Sequence, residues 1–367
     1  MPAISVIIPA FNAEDSLPEA LHSLQRQSFH DFEAIVVDDG SSDGTAAIAE
    51  RIAASDQRFT VLRQPRNRGG AVCINSALDV VRGDWITVLD ADDAYEPKRL
   101  ETLLRSAERW GADLFADNLQ LVEDGTGRPL GLCLGPDRVR REGPISFEEF
   151  LKLDAVDPGG RPRMGVGYLK PLIRRDFLNQ YGIRYRTDLT SNYDGMFHAE
   201  CLLWGARYVL SPRAHYRYTV ARPGSIGVMS KGARSVTNRL QRCRLLLEHD
   251  RVDRFNGAAG LLRQEIRNLH HVKAYVELAL ALRGRNYGAA LRYALTHSRD
   301  LPYVLNRLCH AALRKLRSEQ QGTDRLSPRR IVSIFARNLV APRLPRAYSR
   351  NHRHPRLLES EAPLRRG

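Results

Sequence analysis

A chain of 367 residues with 43% hydrophobic and 27% charged content has the composition of a soluble globular protein, sized for one large domain and a smaller one, and excludes disorder along its whole length. Its five cysteines are odd in number, scattered and without a CxxC pair, which gives no support to a disulfide framework or zinc site, and no apolar run nears the roughly 20 residues of a membrane span. With 56 basic against 42 acidic residues the net charge is +14, so an anionic partner is expected: nucleic acid, an acidic membrane surface or a phosphorylated substrate.

Along the chain, Met1–Ala10 runs straight into an apolar strand without a basic leader or cleavage site, and Ile4–Pro9 reads as buried β-structure. Ser16-Leu-Pro-Glu19 opens a helix, with Ser16 as N-cap and Glu19 completing a capping box. Strands are expected at Ala34–Asp38, Phe59–Arg63 and Trp85–Asp90, and helices at Thr45–Ala54, Ala71–Val81 and Pro97–Trp110. This alternation implies βαβ units around a parallel sheet, whose ligands bind beyond the carboxyl ends of the strands. Asp38, Asp39, Asp90, Asp92 and Asp93 all fall at such ends. From about residue 119 to 223 the pattern is irregular, with a helix over Tyr193–Gly205. Arg239–Arg283 and Tyr287–Arg317 then carry helical periodicity, with Gly284 ending the first stretch. The expected division is 1–225, 226–320 and a basic tail over 321–367.

Two runs carry the chemistry: Val36-Val-Asp-Asp-Gly-Ser-Ser-Asp-Gly-Thr45 and Val88-Leu-Asp-Ala-Asp-Asp93. Several carboxylates at buried strand ends repel one another unless a cation or hydrogen-bond donors offset them. Asp90 and Asp92, two apart on a chain leaving a strand, can reach one divalent ion, and hard oxygen ligands suit Mg²⁺ or Mn²⁺ shared with phosphate. Asp38 or Asp39 can accept from a base N–H or bind ribose hydroxyls. Gly40 permits the turn, and Ser42 or Asp43 can cap the following helix. His215, with Tyr216 and Tyr218, reads either as a packed strand histidine or as a neighbour of a bound phosphate or metal.

These runs, together with Ser5-Val-Ile-Ile-Pro-Ala-Phe-Asn-Ala-Glu14, resemble the family 2 glycosyltransferases, densely over residues 1–110 and more thinly to about 225. The resemblance implies an α/β GT-A fold: a Rossmann-like, mostly parallel sheet flanked by helices, followed here by a C-terminal helical appendage. It further implies a nucleotide-sugar donor, commonly a UDP-sugar, and inversion at the anomeric carbon. Pro9, Phe11 and Glu14 would line the nucleotide pocket, Asp38 or Asp39 would meet the base, and Arg68 and Asp90 would hold the donor. Asp90 and Asp92 would carry the metal. The family's catalytic base falls at Asp194, where Tyr193 stands in place of a usual Glu; Asp188 is the local competitor. The run Gly165-Val-Gly-Tyr-Leu-Lys-Pro-Leu172 is similar to bacterial succinoglycan-type exopolysaccharide glycosyltransferases. That likeness implies UDP-glucose as donor and a lipid-linked oligosaccharide as acceptor at the inner face of the cytoplasmic membrane.

A dinucleotide enzyme would want Gly-x-Gly-x-x-Gly after the first strand, where Pro-Ala-Phe-Asn stands. A nucleic-acid partner is not expected, because the basic residues have no recognisable module. The alternative is a basic nucleic-acid-binding or other nucleotide-binding α/β protein without glycosyl transfer. In the tail, Ile331, Ile334, Phe335 and Leu339 fall on one helical face with Arg330 and Arg337 beside it, the pattern of an interfacial helix on an anionic bilayer.

Overall fold

The computed structural model describes residues 1–156, 164–220, 233–283, 286–296 and 302–304. In chain order the first elements are β1 (Ile4–Ala10), α1 (Leu17–Gln25), β2 (Phe32–Asp38), α2 (Thr45–Ser55), β3 (Phe59–Arg63), α3 (Gly70–Leu78) and β4 (Trp85–Val88). There follow β5 (Ala94–Tyr95), α4 (Arg99–Trp110), β6 (Leu114–Glu123), β7 (Pro129–Leu132), β8 (Gly143–Ile145) and α5 (Phe147–Asp154). A 3-10 turn over Val166–Tyr168 leads to β9 (Leu172–Arg174), α6 (Arg175–Tyr181), α7 (Tyr193–Leu203) and β10 (Tyr208–Val220). The rest of the described chain is helical: α8 (Ala233–Glu248), α9 (Ala258–Arg283) and α10 (Tyr287–Thr296).

Among the described residues the strands form one ten-stranded sheet ordered β3-β2-β1-β4-β9-β6-β10-β5, with β7 added on β6 and β8 on β10. β1, β2 and β4 are apolar and buried almost throughout, as strands covered on both faces must be. β1 pairs in parallel with β2 and β4, and β2 with β3, the parallel pairing that the strand–helix alternation implies. Beyond β4 the sheet is mixed: β9 runs antiparallel to β4 and β6, while β10 runs parallel to β6. The parallel half ends its strands together, which sets Ala10, Asp38 and the chain after Val88 side by side.

Local expectations fail in two places. Ser16 precedes α1 as read, but its side chain does not cap the helix: its hydroxyl donates to the Ala13 carbonyl at 3.3 Å. The Ser16 and Leu17 amides already turn on that same carbonyl, and Glu19 is drawn away by Arg26 and Arg217 at 2.9 and 2.8 Å. The capping box forms instead at Ser146 and Glu149 of α5. The helical stretch expected from Arg239 to Arg283 is interrupted between α8 and α9. There Val252 is buried, Phe255 packs edge-on against Phe147 at 5.1 Å, and Asn256-Gly257 supplies a turn.

Contacts divide the chain into two compact units, Met1–Glu277 and Leu278–Gly367, and α10 belongs to the second. Gly284 and the stripe Ile331, Ile334, Phe335 and Leu339 lie outside the described residues. No helix among the described residues is long and apolar enough to cross a membrane.

Candidate active site

The loops after β1 and β2 are laced together by side chains. Glu14 accepts from the Gly44 amide at 2.7 Å, and Asp43 accepts from the Glu14 amide at 3.2 Å. Asp43 also accepts from the Thr45 amide at 3.0 Å, so it serves the start of α2 as expected of that position. Asn12 and Ser42 complete the lacing, the Ser42 amide donating to Asn12 Oδ1 at 2.9 Å. This fixes the chain that carries Pro9, half-buried in β1, and Phe11, whose ring stands 47% exposed just beyond the strand end.

Asp38 and Asp39 are both buried at the end of β2. Asp39 accepts from the main-chain amides of Arg68 and Gly69 at 2.8 and 2.7 Å, holding the loop before α3 against the strand end, while the Arg68 side chain is exposed. Asp38 Oδ1 accepts from the Ser41 amide at 3.1 Å, and its Oδ2 has no hydrogen-bond partner among the described residues. Gly40 takes φ +71° between these groups and the loop, and a Cβ there would meet the Arg66 backbone at 2.7 Å. Both facts require glycine at the turn.

After β4 the three carboxylates part company. Asp93 is buried: it accepts from the Tyr216 hydroxyl and the Thr219 amide, each at 2.7 Å. Burial, then the Asp92 and Asp90 charges, push its carboxyl well above the usual range. The Tyr216 hydroxyl also accepts from the Asp90 amide at 3.1 Å, so β10 pins the turn from which Asp90 and Asp92 project. The Asp90 side chain keeps 29% of its surface exposed.

Across from Asp90 lies Asp194, in the first turn of α7. No side chain caps that helix; Asp194 instead accepts from Lys170 Nζ at 3.1 Å, and its Oδ1 has no hydrogen-bond partner among the described residues. The same Lys170 ammonium lies 3.0 Å from Asp90 Oδ2. Burial and the Asp90 charge raise Asp194 above the ordinary aspartate range, with Lys170 opposing them. Burial likewise disfavours the Lys170 charge, yet Asp194 and Asp90 hold its ammonium well above the usual lysine range. Lys170 is held in turn by Arg99, which donates to its carbonyl at 2.6 Å. Arg99 is fully buried, forks onto Asp117 at 3.1 and 2.8 Å, and lies over the Tyr95 and Tyr216 rings. Such a fork leaves both charges compensated inside the core, and removing either partner of such a pair costs about 3–5 kcal/mol.

The Gly165-Val-Gly-Tyr-Leu-Lys run has a packing reason. Asp154, buried at the end of α5, accepts from the Gly167 amide at 2.8 Å and pairs with Arg242 of α8 at 2.6 Å. Burial works against its charge, but Arg242 and Arg239 hold the Asp154 carboxyl below the usual range. A Cβ on Gly165 would meet the Asp154 Cα at 2.7 Å, and one on Gly167 would meet the Gly195 Cα at 2.9 Å. Backbone therefore touches backbone beside Asp194. Gly165→Ala is expected to destabilise the protein by about 1–3 kcal/mol, the usual cost of overpacking, read as a lower urea midpoint.

Sequence reasoning finds Asp90 and Asp194, which converge on one ammonium. It misses that ammonium, because a lone lysine in a Gly- and Pro-containing run carries no periodic or metal-like signal. Asp188 is not part of the group: it forms an exposed pair with Arg186 at 3.0 and 2.9 Å. His215 faces Asp117, its amide donating at 3.1 Å, as a packed strand residue. Trp204 stacks with the Tyr181 ring at 5.0 Å and takes Arg251 over its own ring at 3.7 Å. Among the described residues no three His, Cys, Asp or Glu side chains form a ready-made metal cage.

A parallel half-sheet with acidic strand ends facing a separate carboxylate is the architecture of a GT-A glycosyltransferase, and comparison with known proteins agrees. Residues 5–132 match the model of glycosyl transferase family 2. The succinoglycan biosynthesis protein ExoU of Rhizobium meliloti is 32% identical over 310 residues, covering 82% of this chain and 85% of ExoU. ExoO of the same organism is 28% identical over 322 residues, covering 86% and 87%. The chain therefore belongs to glycosyltransferase family 2 and is a glycosyltransferase. A β-1,3-glucosyltransferase of Campylobacter jejuni, named for its GalNAc(5)-diNAcBac-PP-undecaprenol acceptor, is 38% identical over 41% of this chain and 48% of its own. In fold, the chain is similar to Staphylococcus aureus TarS 1-349 in complex with UDP-GlcNAc (TM-score 0.59, 18% identity, 92% and 90% covered). It is also similar to the mannosyltransferase PcManGT of Pyrobaculum calidifontis in complex with GDP-Man and Mn²⁺ (TM-score 0.51, 20% identity, 92% and 87% covered).

Proposed function

We propose that the enzyme is an inverting, metal-dependent transferase that moves glucose from UDP-glucose onto a lipid-linked oligosaccharide in exopolysaccharide synthesis. The observation that carries this reading is the convergence of Asp90 and Asp194 on one ammonium while Asp194 Oδ1 has no partner among the described residues. The relatives named for succinoglycan synthesis and for a polyprenyl-diphosphate acceptor support the polymer context. The TarS complex supports a UDP-sugar donor.

In this reading residues 1–225 form the donor-binding and catalytic domain, 226–320 a helical region and 321–367 a basic tail. Pro9, Phe11 and Glu14 line the nucleotide pocket, Asp38 or Asp39 meets the base, and Arg68 and Asp90 hold the donor. Asp90 and Asp92 fit Mg²⁺ or Mn²⁺, which take one or two carboxylates and complete their shell with phosphate oxygens and water. An ion there would neutralise the diphosphate and improve it as a leaving group. Asp194 takes the proton from the acceptor hydroxyl as that oxygen bonds to the anomeric carbon. The C–O bond to the diphosphate breaks, and its electron pair leaves on the phosphate oxygen. A screen of nucleotide-sugars for EDTA-sensitive transfer or hydrolysis tests the reading. UDP-glucose turned over ahead of other donors supports it; turnover of none, with salt-sensitive retention on DNA, favours the nucleic-acid alternative.

The tail is proposed to hold the enzyme against the inner face of the cytoplasmic membrane, because residues 325–356 contain many arginines and no acidic residue. Each basic residue near an anionic surface contributes about 1 kcal/mol before screening. Truncation after Gln321 is expected to lower sedimentation with anionic vesicles and leave UDP affinity unchanged. Equal vesicle binding by both proteins would reject the idea.

A further inference from the structure

We propose that Lys170 is a positioning residue of the transfer reaction, whose buried ammonium holds the Asp194 carboxylate away from the divalent cation and competes with that cation for Asp90. The inference rests on the assignment of Asp90 to the metal and Asp194 to proton removal made above.

The geometry allows Lys170 little freedom. Its side chain is 6% exposed, with the ammonium 3.0 Å from Asp90 Oδ2 and 3.1 Å from Asp194 Oδ2. At the other end its carbonyl accepts from Arg99 at 2.6 Å and from the Thr87 hydroxyl at 3.4 Å. Arg99 is itself locked by Asp117 and two tyrosine rings. A lysine tethered at backbone and tip does not swing as a surface lysine does, and a buried ammonium persists only where carboxylates compensate it.

Two consequences follow from charge alone. An ammonium and a divalent ion that share one carboxylate repel each other, so Lys170 disfavours a bare cation on Asp90. The diphosphate's own negative charge offsets that repulsion, which biases the site to take cation and nucleotide together. Secondly, Asp90 and Asp194 both reach the Lys170 ammonium, so they are near enough to chelate one ion between them. A base recruited as a metal ligand no longer accepts a proton from an acceptor hydroxyl. Lys170 keeps the two carboxylates in separate employment.

Lys170→Met separates this role from mere structural support, because it predicts opposite shifts in two measurements. Without nucleotide, Mn²⁺ binding followed by the electron paramagnetic resonance of the free ion should tighten about fivefold or more. At the same time kcat for transfer should fall about tenfold or more, with the donor KM changed by less than about threefold. Simple loss of packing would weaken both. If the Met variant lacks the native circular dichroism spectrum, Lys170→Gln, which keeps a hydrogen-bond donor without the charge, is subjected to the same two measurements. Mn²⁺ affinity that is unchanged or lower, or an unchanged kcat, overturns the inference. Asp194→Asn assayed alongside distinguishes the two failures: if it keeps full turnover, the assignment of the base is wrong, whereas its loss beside a normal Lys170→Met enzyme condemns the Lys170 role alone.

Discussion

Asp194→Asn is expected to bind the UDP-sugar donor with nearly wild-type affinity while kcat falls by about 10²–10⁴-fold, the range that general-base catalysis supplies. Asparagine preserves the shape of the side chain and can still accept a hydrogen bond from Lys170, so α7 and the site should keep their geometry. What is lost is the oxygen that takes the proton. The pH profile carries the same signature. Asp194 acts ionised, and burial with the Asp90 charge raises it above the ordinary range. Wild-type kcat should therefore decline, as pH falls, through a value above the roughly 3.9 of a free aspartate. That acid limb should vanish from the residual activity of the variant. Wild-type turnover on the true acceptor would move the base elsewhere, with Asp188 next in line despite its pairing with Arg186.

Asp92→Ala is expected to abolish measurable transfer and to weaken metal-dependent UDP binding by several kcal/mol, on the order of 10²-fold or more. Asp93 does not substitute for it, because that carboxyl is buried and already occupied by the Tyr216 hydroxyl and Thr219 amide. Asp90 alone would have to balance both the ion and the Lys170 ammonium. Calorimetry with UDP, in Mn²⁺ and then in EDTA, reads the effect. Unchanged affinity with unchanged metal dependence would remove Asp92 from the metal site.

The parallel half of the sheet was legible because β1, β2 and β4 are largely apolar, buried runs separated by helices, so local pattern and tertiary structure ask for the same thing. Asp90 and Asp194 were legible through motif likeness, and the structure brings both to the Lys170 ammonium. Three things were not legible. The mixed half of the sheet depends on β9, whose three residues carry no period, entering between β4 and β6. The start of α1 after Ser16 was read correctly, but its capping hydrogen bonds do not form, because the Ala13 carbonyl and two arginines outcompete the local capping pattern. Lys170, Arg99 and Asp117 were invisible because each is a single charged residue whose importance is its burial, and burial of a charge is decided by partners far away in sequence.

The anomeric configuration of the product tests the central claim most directly. With one base opposite the donor and no enzyme nucleophile in the mechanism, attack comes from the face away from the diphosphate. Proton NMR of the disaccharide linkage formed from an α-linked UDP-sugar should show the large H1–H2 coupling of a β-glucoside. An α-linked product would contradict the account, because retention requires a second displacement that the proposed site does not provide.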